Sequence, residues 1–277
     1  MNSSMEKLIS EYLSYFEEYL DKYCKTQFND DTQLNNAIKY ALFSGGKRIR
    51  PLLCFSTANF LSIPKEKVVN FALAIEFIHT YSLIHDDLPC MDNDDFRRGK
   101  PTVHKFFNEG IALLAGDTLL NSAYEILFST LKEDGDTIDA VKYISNCAGI
   151  NGMIGGQALE FESERFNEDT ITEIALKKTG ALISASIMSV ALISMQNDKI
   201  LALSTFAKAL GLGFQIADDL IDKTKSEPNS FLSIIGYENT LKKLNDVHNV
   251  AIKTLNKWQK EAEMLLFLCK KLKKRTI

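Results

Sequence analysis

The sequence predicts an all-α fold in a single domain spanning residues 1–277. Apolar residues recur at spacings of three and four over long stretches, only five of the 277 residues are proline, and no Asn-Gly or Asp-Gly turn joins two runs of alternating polarity. No strand is expected anywhere. No Pro/Gly/Ser-rich linker and no solenoid repeat interrupts the pattern.

Leu8, Tyr12, Tyr15, Phe16 and Tyr19 place an amphipathic helix over residues 5–23. Asp30 or Asp31 can cap a second helix that stops near Ser44-Gly45-Gly46. Pro51 suits the first turn of a third, where its missing N–H is not needed. Residues 68–85 are apolar on most faces and therefore predicted to lie deep. Further helices are expected over 109–131, 137–158, 170–195, 199–222 and 230–273. The most apolar stretch, Ala181 to Met195, is shorter than the roughly 20 residues a bilayer span needs, so it is expected to be a core helix and no membrane span is predicted.

Composition is ordinary for a globular chain, at 45% hydrophobic and 25% charged residues. A formal net charge of -4 gives no general field for nucleic acid or an anionic membrane, so any anionic ligand must meet local basic clusters. Five scattered cysteines lack metal-ligand spacing and are expected as reduced, mostly packed thiols. The first residues lack the apolar core of a secretory signal, which points to the cytoplasm.

Two acidic clusters stand out, each closing an apolar helix. The first is His85-Asp86-Asp87-Leu88-Pro89-Cys90-Met91-Asp92-Asn93-Asp94-Asp95, followed by Phe96-Arg97-Arg98-Gly99-Lys100-Pro101. Five carboxylates so close repel one another unless cations compensate, and Mg²⁺ suits the task because it bridges one or two carboxylates to substrate phosphates. Pro89 forbids regular helix between Asp86 and Asp92, so a local bulge is needed to bring both to one metal. The second cluster, Phe214-Gln215-Ile216-Ala217-Asp218-Asp219-Leu220-Ile221-Asp222, sets Asp218 and Asp222 on one helix face. Carboxylates at a helix C-terminus oppose the macrodipole, and a cation is expected there.

Basic groups suited to diphosphate stand against these acids. Gly45-Gly46-Lys47-Arg48-Ile49-Arg50-Pro51 offers Lys47 and Arg50, and Arg97-Arg98 offers two guanidinium forks. The glycine segment is not a Walker A loop, since Ala41 replaces its first glycine and Arg48 follows the lysine. Lys178, Thr179 and Gln215 are polar residues in apolar surroundings. Four histidines without ligand spacing argue against zinc, and neither His79 nor His85 is assigned as a proton-transfer base.

In this order, the segments Gly-Gly-Lys-Arg-Ile-Arg-Pro at 45–51, Asp-Asp-Leu-Pro-Cys-Met-Asp at 86–92, Arg-Arg-Gly-Lys-Pro-Thr at 97–102, Gly-Gly-Gln at 155–157, Lys-Thr-Gly at 178–180 and the motif at 214–222 resemble the trans-isoprenyl diphosphate synthase family, in its bacterial and plastid short-chain form. The resemblance runs over about residues 35–240. It implies an isoprenoid-synthase-type helical bundle around a central cavity, acting as a homodimeric prenyltransferase on isopentenyl and allylic diphosphates. It also implies Mg²⁺ on Asp86, Asp87, Asp92, Asp218 and Asp222, with Arg97, Lys178, Thr179 and Gln215 on the allylic diphosphate. Lys47, Arg50, His79 and Arg98 would then bind isopentenyl diphosphate, and Asp86, Asp87, Asp92, Lys178 and Asp218 would form the catalytic set.

By the same resemblance, Tyr81, five residues before Asp86, would floor the cavity and favour a farnesyl (C15) product, with geranylgeranyl (C20) as the competitor. One departure stands out: Lys223-Thr224-Lys225-Ser226-Glu227-Pro228-Asn229-Ser230 is shorter than the family's loop, and Pro228 takes the place of its lysine. A terpene cyclase would leave Lys47, Arg50 and Arg98 idle. A non-catalytic partner subunit is not expected to keep both Asp motifs.

Overall fold

The computed structural model describes residues 2–131, 137–221 and 229–273. Among these the helices are α1 (Asn2–Gln27), α2 (Gln33–Leu42), α3 (Ile49–Leu61), α4 (Val69–Asp86), α5 (Val103–Phe106), α6 (Glu109–Ser129), α7 (Ile138–Ala148), α8 (Met153–Glu162), α9 (Glu168–Ile174), α10 (Ala181–Leu192), α11 (Asn197–Ile221), α12 (Phe231–Thr254) and α13 (Glu263–Lys273). The chain is all-α, as predicted, apart from a minimal antiparallel hairpin of β1 (Phe96–Arg97) and β2 (Lys100–Pro101).

That hairpin departs from the expectation of no strand. Its turn residues, Arg98 and Gly99, both have positive φ, 55° and 76°, as a two-residue hairpin loop of type I′ requires. Other departures are local. Thr32, not Asp30 or Asp31, caps α2 through the Asn35 N–H at 3.2 Å. The stretch 137–158 breaks at Gly149 and Gly152 into α7 and α8. The stretch 230–273 is kinked at Gly236 and interrupted by a 3₁₀ turn at Asn256–Trp258.

Two compact units divide the chain: residues 1–52 with 69–131, and residues 53–68 with 132–277. In the first, α4 packs along α6, while α2 lies against α4, α5 and α6. Nearly all of α4 is buried, Phe71, Phe77 and Ile78 completely. In the second, α10 packs on α7 and α11, and α12 lines α11.

From Ala175 to Gly180 the chain makes a π-helical turn joining α9 to α10. The helix therefore runs over 25 residues, Glu168–Leu192, longer than the apolar run alone suggests. It is one of three helices among the described residues that are long and apolar enough to cross a membrane, with Glu109–Ser129 and Asn197–Ile221, and 72% of its most apolar window is buried in the fold. All five cysteines are free thiols, buried except Cys90.

Candidate active site

In the first unit, α4 delivers Asp86 at its last residue and Asp87 just beyond. Pro89 stops the helix, and the chain folds back through bonds from Met91 N–H and Asn93 N–H to the Leu88 carbonyl, at 2.9 and 3.1 Å. The Asp92 N–H then closes on the Asp86 carbonyl at 2.9 Å. This is the bulge the proline called for, and it brings the backbones of the two aspartates together across six positions of sequence.

The neighbouring acids meet cations of the chain itself. Asp87 is 3% exposed, and its Oδ1 takes both Arg97 Nε at 2.7 Å and a terminal Arg97 nitrogen at 2.6 Å. Asp94 lies 3.6 Å from Arg97, and Asp95 2.8 Å from Lys105. Part of the compensation expected from a metal thus comes from Arg97 and Lys105. Burial raises the Asp87 carboxyl above its ordinary value despite Arg97, whereas the Lys105 hydrogen bond lowers that of Asp95.

Basic residues converge in the same unit. Burial, then Arg50, Arg98, Arg97 and Arg48 in turn, hold the His79 imidazole well below its usual value, so it is neutral at pH 7. Arg97 is also within electrostatic reach of Asp86. Arg98 donates to the Gly45 carbonyl, tying the β1–β2 turn to the glycine segment, and Lys47 is exposed. Arg48, unassigned from the sequence, is instead buried among Glu17, Glu76 and the Leu42 carbonyl.

Tyr81 on α4 is 5% exposed, and its ring sits edge-on to His85, centroids 5.7 Å apart. Its phenol is pushed up by burial, then by Tyr124 and Asp86. Among the described residues the hydroxyl has no hydrogen-bond partner.

In the second unit the π-helical turn presents Lys178 and Thr179 side by side. Lys178 donates to Glu160 of α8 at 2.5 Å, and the other Glu160 oxygen accepts from Asn229 at 2.5 Å. Thr179 donates to Gln215 at 2.7 Å, Gln215 donates to Asp219 at 2.8 Å, and Asp219 also accepts the Phe231 N–H at 2.7 Å, at the start of α12. Lys178, Thr179 and Gln215 are thus placed by one local network, with Asp218 next to Asp219 on α11. Asp222, Lys223, Lys225 and Pro228 lie outside the described residues.

Glu160 and Asp219 were not singled out in the sequence. Glu160 could have been, as an acid three residues beyond Gln157 in an otherwise apolar run. Among the described residues no three His, Cys, Asp or Glu side chains form a ready-made metal cage. The donors are carboxylate oxygens, which fit a hard divalent cation that arrives with phosphate ligands of its own.

Residues 31–265 match the family described as Polyprenyl synthetase. The chain is 40% identical over 263 residues to the farnesyl diphosphate synthase of Micrococcus luteus, covering 89% of this chain and 87% of that protein. It is 42% identical over 204 residues to the heterodimeric geranylgeranyl pyrophosphate synthase large subunit 1, chloroplastic, of Arabidopsis thaliana, covering 70% of this chain but only 55% of that protein. Among solved structures, a geranyltransferase from Legionella pneumophila matches with TM-score 0.92 and 33% identity over 99% of this chain and 98% of the other. An FPP/GFPP synthase from Zymomonas mobilis matches with TM-score 0.88 and 36% identity over 98% and 99%.

Proposed function

Since the chain belongs to the polyprenyl synthetase family, we propose that it is a Mg²⁺-dependent prenyltransferase joining isopentenyl diphosphate head to tail with dimethylallyl and geranyl diphosphate to give farnesyl diphosphate. One observation carries the reading: the backbone-closed Asp86 and Asp92 share a unit with the cationic Arg50, Arg97 and Arg98 gathered around the neutral His79. Carboxylates for metal and cations for a diphosphate are the two requirements of such a transfer.

In this reading Lys47, Arg50, His79 and Arg98 take isopentenyl diphosphate, and Arg97, Lys178, Thr179 and Gln215 contact the allylic diphosphate. Asp86, Asp87, Asp92, Asp218 and Asp222 would hold Mg²⁺. Bound Mg²⁺ supplies charge neutralisation on the departing diphosphate. Lys178, held by Glu160, would add a positive charge beside the departing diphosphate as the allylic C–O bond breaks. The double bond of isopentenyl diphosphate attacks the resulting cation, and the proton lost from carbon goes to the released diphosphate. His79, kept neutral by burial and its arginine neighbours, binds rather than accepts that proton.

Buried Tyr81 supports a C15 limit. The Arabidopsis relative, with its geranylgeranyl name, favours C20 as the second reading. The exposed Leu113, Leu114 and Phe128 on α6, 48%, 51% and 61% accessible, support a homodimer. We place it in the cytoplasm as one catalytic domain.

The test is incubation with Mg²⁺, labelled isopentenyl diphosphate and, separately, dimethylallyl, geranyl or farnesyl diphosphate, with products resolved by length. Elongation that stops at C15 and is lost in Asp86→Ala is expected. A C20 product selects the second reading, and no elongation from any primer overturns both.

A further inference from the structure

Arg48 interrupts a segment whose other cations, Lys47 and Arg50, are assigned to isopentenyl diphosphate in the function proposed above. Lys47 before it is exposed and Arg50 after it is half-buried, whereas the Arg48 side chain is only 4% exposed. Its guanidinium is committed in three directions. Nε donates to Glu17 of α1 at 2.7 Å, one terminal nitrogen to Glu76 of α4 at 2.9 Å, and the other to the Leu42 carbonyl at 2.6 Å.

Each of these bonds has a structural reason. Leu42 is the last residue of α2, so its carbonyl has no partner within the helix, and a cation there also complements the helix dipole. Glu76 is buried in the apolar α4, with a side chain 4% exposed, and needs a cation to remain there. The Arg48 carbonyl accepts the Leu52 N–H at 3.0 Å, which opens the first turn of α3. One residue therefore ties α1, α2, α3 and α4 together.

The backbone at this point is unusual. Arg48 has φ 46°, and Gly45 and Gly46 before it have φ 91° and 139°. Glycine tolerates that region, but a long side chain is held there only where its surroundings over-determine it. The fork of contacts to Glu17, Glu76 and Leu42 supplies that restraint. The same twist sends Arg48 inward and leaves Lys47 outward, with Arg50 in the first turn of α3.

We propose that Arg48 is a positioning residue for the isopentenyl diphosphate site: clamped by Glu17, Glu76 and the end of α2, it holds the left-handed turn that aims Lys47 and Arg50. The proposal rests on the function proposed above. Arg48 itself touches no substrate. Its contribution is geometric, so its loss must raise the KM for isopentenyl diphosphate before it affects the allylic substrate.

Two variants test this. Arg48→Lys keeps the charge but loses the planar fork, and Arg48→Gln with Glu76→Gln replaces the buried charges by neutral hydrogen-bonding groups. Both are expected to raise the KM for isopentenyl diphosphate about tenfold, the equivalent of one or two lost hydrogen bonds, with the allylic KM within about twofold. Where either fails to fold, Glu17→Gln loosens the clamp at its more exposed partner, 43% accessible, and a two- to threefold rise, roughly half a neutral hydrogen bond, is expected. Calorimetric titration with isopentenyl diphosphate alone separates the possibilities. Weaker binding by the variants supports the proposal, and equal binding by wild type and variants overturns it. Parallel rises in both KM values that follow lost thermal stability also overturn it, since they mark a general packing role. A wild-type protein that binds no isopentenyl diphosphate overturns the functional reading itself.

Discussion

Tyr81 joins a buried ring to a hydroxyl that has no hydrogen-bond partner among the described residues. A buried unpaired hydroxyl is a net cost, so Tyr81→Phe is expected to melt no lower than wild type and to leave product length unchanged. Tyr81→Ala removes the ring. It is expected to lose about 3 kcal/mol or more of stability and to yield products longer than C15, read by chromatography of the labelled chains. An unchanged C15 product from a folded Tyr81→Ala protein would remove Tyr81 as the floor. At this scale the sequence shows residue types in motif order but not their partners. Arg48 and Glu76 are 28 positions apart and Lys178 and Glu160 are 18 apart, separations with no periodic signature. Asp87 and Arg97, both legible as functional, leave no trace in the sequence of being paired with each other.

Among the elements, the contact between α8 and the π-helical turn governs where Lys178 points. A methyl group on Gly156 would overlap the backbone of Lys178 and lie 2.8 Å from Lys177 Cβ. Because the obstruction is mainly backbone, it cannot be relieved by turning a side chain. Gly156→Ala is therefore expected to cost roughly 1–3 kcal/mol and to lower kcat at least as much as Lys178→Ala, measured by thermal unfolding and steady-state kinetics. Wild-type kcat in Gly156→Ala would show that the turn moves without consequence for Lys178. Helix existence was legible from the three-and-four spacing, since α1, α4, α6 and α11 fall where the apolar pattern puts them. What was not legible depended on backbone conformation at single residues. Gly236 bends a helix whose apolar pattern continues past it, and the hairpin turn uses Arg98-Gly99 where the usual signal is Asn-Gly.

Across the whole molecule, the all-α class and the absence of a general basic field followed from composition and periodicity, because both are sums over many residues and tolerate local surprises. The division into two compact units did not, since the first takes residues from either side of 53–68. The electrostatics of individual groups also needed the fold, and they set a global pH dependence. His79 is pushed well below its usual value by burial and then by Arg50, Arg98, Arg97 and Arg48. His248 is lowered by burial and then by Lys273 and Lys270, a backbone bond from Cys269 opposing. Between their folded values and about 6.5, the unfolded chain holds protons that the folded chain does not, so stability rises with pH in that window and falls as the solution is acidified. The raised Asp87 carboxyl has the opposite sign, favouring the folded state as it takes a proton. Calorimetric scans at pH 7.5, 6.5 and 5.5 are therefore expected to show a falling melting temperature, with a shallower fall in His79→Gln. A flat profile in the wild type would mean that neither imidazole is held neutral by the fold, and it would remove the charge-neutral role assigned to His79 beside the diphosphate.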